Sequence, residues 1–520
     1  MLASYFPDML KMIAVACVAG VVTAGMVSAQ EPAAPGGGLE ERLARLRSLE
    51  MPGGGTVTSV EHFDSATMEI PGKPPITNLP PRTVVKAELR PAEGSHIQVE
   101  IWLPDEPKWN GRLLGVGNGG AAGRINPGSL AWPTQGGYAA ATTDMGTAPN
   151  SDSGVGNREV WRDFGYRATH LMTVLAKDAV RAYYGRGPEY SYFNGGSTGG
   201  QQAMQEAQRY PEDYDGIVAN IPAHCRAPLH AYFLWNDQIF AKCPFTKEQE
   251  AAVIAAANEY LAAREVPVAA GKFVSDPRWD ARDQEAVIAL ALKKDATLTP
   301  AHAEALRKLF AGPVQEGTGA RIFGGLPPGS SLESSHGHLY LFKWVFGPEK
   351  KLADINFGAD IDTYSAALGP WLNAENDDLS AFAKRGGKMI MMAGSVDSVV
   401  PCWASIDYYE RVATREGGLE KAQEFLRFYL IPGMAHGGGP GMNKPPDMLA
   451  AVRAWREKGV APYELIGRHA ANGGEEWSMP VYPYPKKTAW DAATSTYKAV
   501  DGPRGGVEPV AEKFRPAATE

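Results

Sequence analysis

One short stretch constrains this chain more than any other. Tyr190 to Asn194 reads as a strand, Gly195-Gly196-Ser197-Thr198-Gly199-Gly200 as a tight turn, and Gln201 to Arg209 as a helix. A turn this sharp strains its central residue, and glycines on either side avoid the neighbouring strand and helix. By itself G-x-S-x-G is a weak pattern, because both residue types are common. Between a strand and a helix it lifts a serine hydroxyl above a sheet, at a helix N-terminus whose dipole favours negative charge.

The flanking pattern agrees with a sheet of that kind. His96 to Leu103 is the first clear strand, with Ile97, Val99 and Ile101 alternating with polar residues. Leu113 to Val116 stops at Gly117-Asn118-Gly119-Gly120, Tyr138 to Thr143 stops at Asp144, and a helix spans Val160 to Tyr184. Strand–helix alternation across 96–220 indicates a mostly parallel sheet with helices on its faces. From about 225 to 385 the chain turns to helix formers and aromatics. Alternation resumes with the apolar run Lys388 to Ala393, the strand Phe425 to Ile431 and a helix capped by Asp447. The reading is one α/β domain over 56–224 and 386–520, interrupted by an inserted domain at 225–385. Residues 30–55, rich in Pro and Gly with a short charged helical patch, read as a linker or surface arm rather than core.

A serine hydroxyl needs a base to take its proton. Of ten histidines, His436 alone sits in a glycine-rich loop just past a predicted strand, in Ile431-Pro-Gly-Met-Ala-His436-Gly-Gly-Gly. In α/β-hydrolases the carboxylate falls between serine and histidine in the chain. Asp397, just after the 388–393 strand, stands where open α/β sheets build their sites. Asp407 is its rival, but the run after it looks helical. Two backbone N–H groups should receive the negative charge of an acyl-transfer intermediate. The first is that of Thr198; for the second, Gly120 is preferred over Gly119.

Other features exclude classes of function. The net charge of −8, with no basic block, argues against a nucleic-acid surface. Lys11 followed by an apolar run to Val27-Ser28-Ala29 reads as a secretory signal over 1–29 and so as a secreted or periplasmic protein; an uncleaved anchor is the alternative. No later segment is long and apolar enough to span a membrane. Beyond the signal, Cys225, Cys243 and Cys402 allow at most one internal disulfide, and the sequence does not say which pair.

Several blocks, in one order, resemble the tannase/feruloyl esterase family: Trp109-Asn-Gly-Arg with Gly115-Val-Gly-Asn-Gly-Gly120, Ser197-Thr-Gly-Gly with Glu206-Ala-Gln-Arg-Tyr-Pro-Glu-Asp-Tyr-Asp-Gly216, Gly325-Leu-Pro-Pro-Gly329, Asp378 to Gly387, and Pro432-Gly-Met-Ala-His436. The resemblance implies a secreted α/β-hydrolase with a large lid, cleaving esters of aromatic acids, and its triad falls on Ser197, Asp397 and His436. The family's cysteine pair flanking serine and histidine is replaced here by Gly196 and Gly437, which implies a less restrained His436 loop. Its lid calcium site matches 260–279, where Ala-Ala-Arg-Glu-Val-Pro-Val stands in place of acidic ligands, so no calcium is expected. His336-Gly-His338 offers two imidazoles without a third ligand nearby in sequence, so no metal is assigned there.

The expected function is therefore hydrolysis of a small-molecule carboxylic ester of feruloyl, galloyl or terephthaloyl type, through an acyl-enzyme and without a cofactor. Acyltransferase or amidase chemistry on the same residues, or a non-catalytic binding protein, are the alternatives. Tyr232, Phe233, Trp235, Phe342 and Trp344 could floor an aromatic pocket, although most such residues serve as core. Oligomeric state is not readable from the chain.

Overall fold

The computed structural model describes residues 37–262, 273–333, 336–470, 476–507 and 510–515. The signal reading over 1–29, half of the calcium-related stretch (263–272) and the side chain of His336 lie outside them.

Nine strands form the main sheet. From edge to edge they are Gly55–Phe63, Arg82–Leu89, Ile97–Pro104, Ala139–Thr143, Arg112–Val116, Tyr190–Gly196, Gly216–Asn220, Lys388–Gly394 and Leu426–Ile431. The first three pairings are antiparallel and the other five parallel. The central parallel strands Gly216–Asn220 and Lys388–Gly394 are buried along nearly their whole length and almost wholly apolar, because both of their faces are covered. Along Lys388–Gly394, Met389, Met391 and Ala393 enter one hydrophobic cluster while Ile390 and Met392 enter another on the opposite face. The helices Ala168–Tyr184, Thr198–Arg209 and Trp403–Arg415 pack on the first side. Val452 and Trp455 of the helix Met448–Lys458 pack on the second. Asp447 caps that helix by accepting from the Ala450 amide at 2.9 Å, and Gly459 ends it in the left-handed conformation.

Between the strands Gly216–Asn220 and Lys388–Gly394 the described elements are helical, from Arg226–Lys242 to Ser380–Lys384. Most of their apolar side chains up to Leu372 form a second hydrophobic cluster together with Val160, Trp161 and Phe164, whereas Phe382 of the last helix packs in the sheet's core. The packing changes over between Leu372, in that cluster, and Ala374, in the core of the sheet domain. Val510 and Phe514, near the chain's end, return to the helical cluster.

Three expectations need correction. Residues 39–47 form a helix whose Leu43 and Leu46 are buried in the sheet's main core, so this segment is not a surface arm. Its apolar positions are spaced four and three apart, and that spacing outweighs the charges between them. The strand at 97–104 is not the first: Gly55–Phe63 and Arg82–Leu89 precede it in the same sheet. The edge strand has one solvated face and little apolar content to signal it. The helix expected over 160–184 is interrupted by a π-helical turn at Asp163–Arg167.

Candidate active site

Ser197 joins the strand Tyr190–Gly196 to the helix Thr198–Arg209 with φ +59° and ψ −116°, a conformation that costs a side-chain-bearing residue about 1–3 kcal/mol. The neighbours hold it there. Its amide donates to the Asn220 carbonyl at 3.1 Å, and its carbonyl accepts from Gln201 and Ala223. A Cβ on Gly195 would stand 2.4 Å from the Gly199 carbonyl oxygen, so the crossing of strand and helix excludes any side chain there.

The strands that follow bring two more groups to the same edge. Gly196 pairs with Asn220, Asn220 with Met392 and Gly394 with Ile431. Ser197, Asp397 and His436 therefore all lie just beyond the C-terminal ends of neighbouring parallel strands. Asp397 is fully buried. Its Oδ1 accepts the Val399 and Val400 amides at 2.8 and 2.9 Å, and its Oδ2 lies 2.9 Å from Nδ1 of His436. His436 keeps 28 % of its side chain exposed, which leaves the ring accessible from the solvent side. Among the described residues no hydrogen bond joins the Ser197 hydroxyl to the His436 ring, a contact that often tightens only with substrate bound. Asp407, the rival carboxylate, is engaged with Arg411 and Arg515, each at 3.0 Å.

The loop carrying His436 is closed on itself by backbone hydrogen bonds. Ala435 donates to Gly438 at 2.7 Å, Gly441 to Gly433 at 3.0 Å and Met442 to Pro432 at 3.0 Å, while the Gly433 amide reaches the Ser395 hydroxyl at 2.7 Å. Gly196 and Gly437 both have room for a Cβ.

Gly117 to Gly120 run beside the Ser197 turn. Gly117 donates to Asn194 at 3.0 Å and Gly199 donates to Asn118 at 2.7 Å, while the Asn118 amide reaches Gln202 Oε1 at 2.8 Å. Gly120 is left-handed at φ +57°, as a glycine readily is. Its carbonyl accepts from the Thr198 hydroxyl at 2.7 Å, from Arg226 Nη2 at 3.3 Å and from the Tyr340 hydroxyl at 3.3 Å. Among the described residues no hydrogen bond occupies the backbone N–H of Thr198 or of Gly120. Arg226 and Tyr340 were not legible in the sequence, because they meet Gly120 from 106 and 220 residues away.

The helical segment's aromatics are mostly core: Tyr232, Phe233, Phe342 and Trp344 are buried, while Trp235 is half-buried against Phe357. Tyr232 nonetheless touches the site's frame, donating to the Ser398 carbonyl at 2.8 Å. Cys225, Cys243 and Cys402 are all free thiols. Burial pushes the Cys225 and Cys402 thiols up, away from the reactive thiolate. One group among the described residues has the composition of a metal site, His170, Glu206 and Asp213. Asp213 already meets His170 at 2.6 Å and Lys177 at 3.6 Å. Burial, and after it the neighbouring Asp213 carboxylate, push the Glu206 carboxyl well above its usual range.

A mostly parallel sheet with helices on both faces, a strained serine after one central strand and a histidine–aspartate pair beyond the next ones define an α/β-hydrolase. The comparisons with known proteins narrow this. The sequence model of the tannase and feruloyl esterase family matches residues 83–357 and 356–502. An uncharacterised esterase of Xanthomonas campestris pv. campestris is 31 % identical, over 89 % of this chain and 92 % of its own. Feruloyl esterase B of Aspergillus niger is 28 % identical, over 86 % of this chain and 96 % of its own. The crystal structure of feruloyl esterase B from Aspergillus oryzae superposes with a TM-score of 0.74 at 25 % identity, covering 88 % of this chain and all of that one. The chain belongs to the tannase and feruloyl esterase family, and it is a carboxylic ester hydrolase.

Proposed function

We propose that the protein hydrolyses esters of phenolic acids through a Ser197–His436–Asp397 triad and an acyl-enzyme. The observation that carries this reading is the buried Asp397 carboxylate aimed at Nδ1 of His436, on the sheet edge where Ser197 is held in its strained turn. Asp397 would keep the Nδ1 proton in place and leave Nε2 free to act as base. Ser197 Oγ attacks the ester carbonyl as His436 takes its proton, and the Thr198 and Gly120 amides receive the oxyanion. His436 then protonates the leaving alkoxide, and water activated by the same ring releases the acid. The feruloyl esterase relatives support a phenolic acyl group. The helical segment between residues 226 and 384 would act as the lid that selects it, and the protein would be exported. Turnover in this reading needs no metal or organic cofactor.

The test is a panel of feruloyl, galloyl and terephthaloyl esters, with and without EDTA, against Ser197→Ala. Hydrolysis of at least one ester, unaffected by chelation and abolished in the variant, together with fluorophosphonate labelling of Ser197, supports the reading. Full turnover by Ser197→Ala, or transfer of the acyl group to another acceptor in preference to water, overturns it.

A further inference from the structure

Arg226 opens the first helix after the strand Gly216–Asn220 and is 2 % exposed. Among the described residues no carboxylate pairs with it. Its Nη1 donates to the Thr198 hydroxyl at 3.0 Å, and its Nη2 reaches the Gly120 carbonyl at 3.3 Å and the Tyr340 hydroxyl at 2.6 Å. Its guanidinium lies 5.2 Å from the centre of the Phe164 ring, whose π face favours a cation. Thr198 and Tyr340 each pass a further hydrogen bond to that same Gly120 carbonyl.

A buried cation without a counter-charge is costly to keep. The neighbouring His230 does not add to that charge, since burial and Arg226 together push its ring well below the usual histidine range. Two of Arg226's three hydrogen bonds end on the residues whose amides would face the reacting carbonyl, and the third ends on Tyr340, which itself donates to Gly120. Building on the reading above, we infer that Arg226, with Tyr340, is the positioning residue of the oxyanion hole. Its planar fork locks the Thr198 turn to the Gly120 loop, and its charge is balanced only when the oxyanion forms. Arg226 and Tyr340 both come from the helical segment, so the seating of that segment on the sheet sets the geometry of the hole.

The experiment compares Arg226→Met, Arg226→Lys and Tyr340→Phe with the unaltered enzyme in kcat, KM and Ki for phenylboronic acid, whose serine adduct places an oxygen in the hole. Arg226→Met is expected to lower kcat on the order of 10- to 100-fold with KM within about threefold. Phenylboronic acid should weaken by the same factor, a parallel that a merely structural defect would not produce. Arg226→Lys should recover little, because an ammonium cannot span the three partners. A folded Arg226→Met with kcat and Ki within about twofold of the parent, or a loss confined to KM, overturns the inference. Should Arg226→Met lack a melting transition, Tyr340→Phe decides: parallel several-fold losses support the inference, and no change in either constant overturns it. Turnover surviving in Ser197→Ala would instead remove the triad reading underneath, a separate failure.

Discussion

Nδ1 of His436 lies 2.9 Å from Oδ2 of Asp397, whose other oxygen is taken by the amides of Val399 and Val400. The two amides fix which oxygen faces the imidazole. In Asp397→Asn, Oδ1 can keep both amides, so the Nδ2 group turns toward the ring and forces Nδ1 to become an acceptor. The proton then sits on Nε2, and the base is lost. The variant is expected to fold normally and to lose kcat on the order of 10³- to 10⁴-fold with little change in KM. Steady-state kinetics on the best ester of the panel measures this; a loss below about tenfold would mean that Asp397 does not orient the base.

Gly117 and Gly437 make a paired test of close approach. A Cβ on Gly117 would fall 2.5 Å from Gly199 Cα and 2.9 Å from Gly195 Cα, both backbone atoms of the Ser197 turn, whereas one on Gly437 meets nothing within 4 Å. Gly117→Ala should therefore destabilise by about 1–3 kcal/mol and depress kcat, because the turn and the Gly120 loop must part. Gly437→Ala should leave both within error. Thermal melts and kcat for the two variants decide it, and equal effects would show that the contact is not tight.

The residues that were legible sit where a local pattern ends. Ser197, Asp397 and His436 each follow an apolar strand that stops at glycine or a turn, and parallel strands put such stops on one edge whatever the loops do. Arg226 and Tyr340 carry no comparable signal. Arg226 stands at a helix start and Tyr340 in an aromatic run, and their meeting at Gly120 depends on how the helical segment seats on the sheet. The burial of the helix at 39–47 was obscured by composition. Glu40, Glu41, Arg42, Arg45 and Arg47 dominate it, while its only buried side chains are Leu43 and Leu46. A charged helix with a two-residue apolar stripe looks like a solvated arm until its docking partner is known.

Asp144 gives a pH dependence of known sign. It is fully buried at the end of the strand Ala139–Thr143, and burial pushes its carboxyl up to about 6 despite the Gln98 and Gly146 amides on Oδ1. Between about pH 4 and 6 the folded protein keeps a proton that the unfolded chain has released, so stability falls as pH rises through this window. At neutral pH the ionised carboxylate costs about 3 kcal/mol. Asp144→Asn keeps the Oδ1 acceptor and removes the charge. Its Tm should exceed the parent's by about 2–5 °C at pH 7.5 and converge with it near pH 4. Calorimetry at the two pH values checks this, and a uniform shift at both would show that the charge is not the cause.

Glu457 works in the opposite sense. From the helix Met448–Lys458 it takes Arg112 Nε at 2.8 Å and Nη2 at 2.5 Å, and the Tyr192 hydroxyl at 2.7 Å. This ties the C-terminal helix to two central strands whose side chains are 345 and 265 residues away in sequence. The hydrogen bond from Arg112 leads in holding its carboxyl down to about 2. A depressed pKa stabilises the fold above the ordinary carboxylate range, and the contribution disappears as pH falls from about 4.5 through 2. Glu457→Gln keeps a hydrogen-bonding oxygen but loses the bidentate charge pair, at a cost of about 2 kcal/mol near neutrality. Urea midpoints at pH 7 and pH 3 should therefore differ between variant and parent by an amount that shrinks in acid. A gap that stayed constant would assign the cost to packing of the side chain instead of its charge.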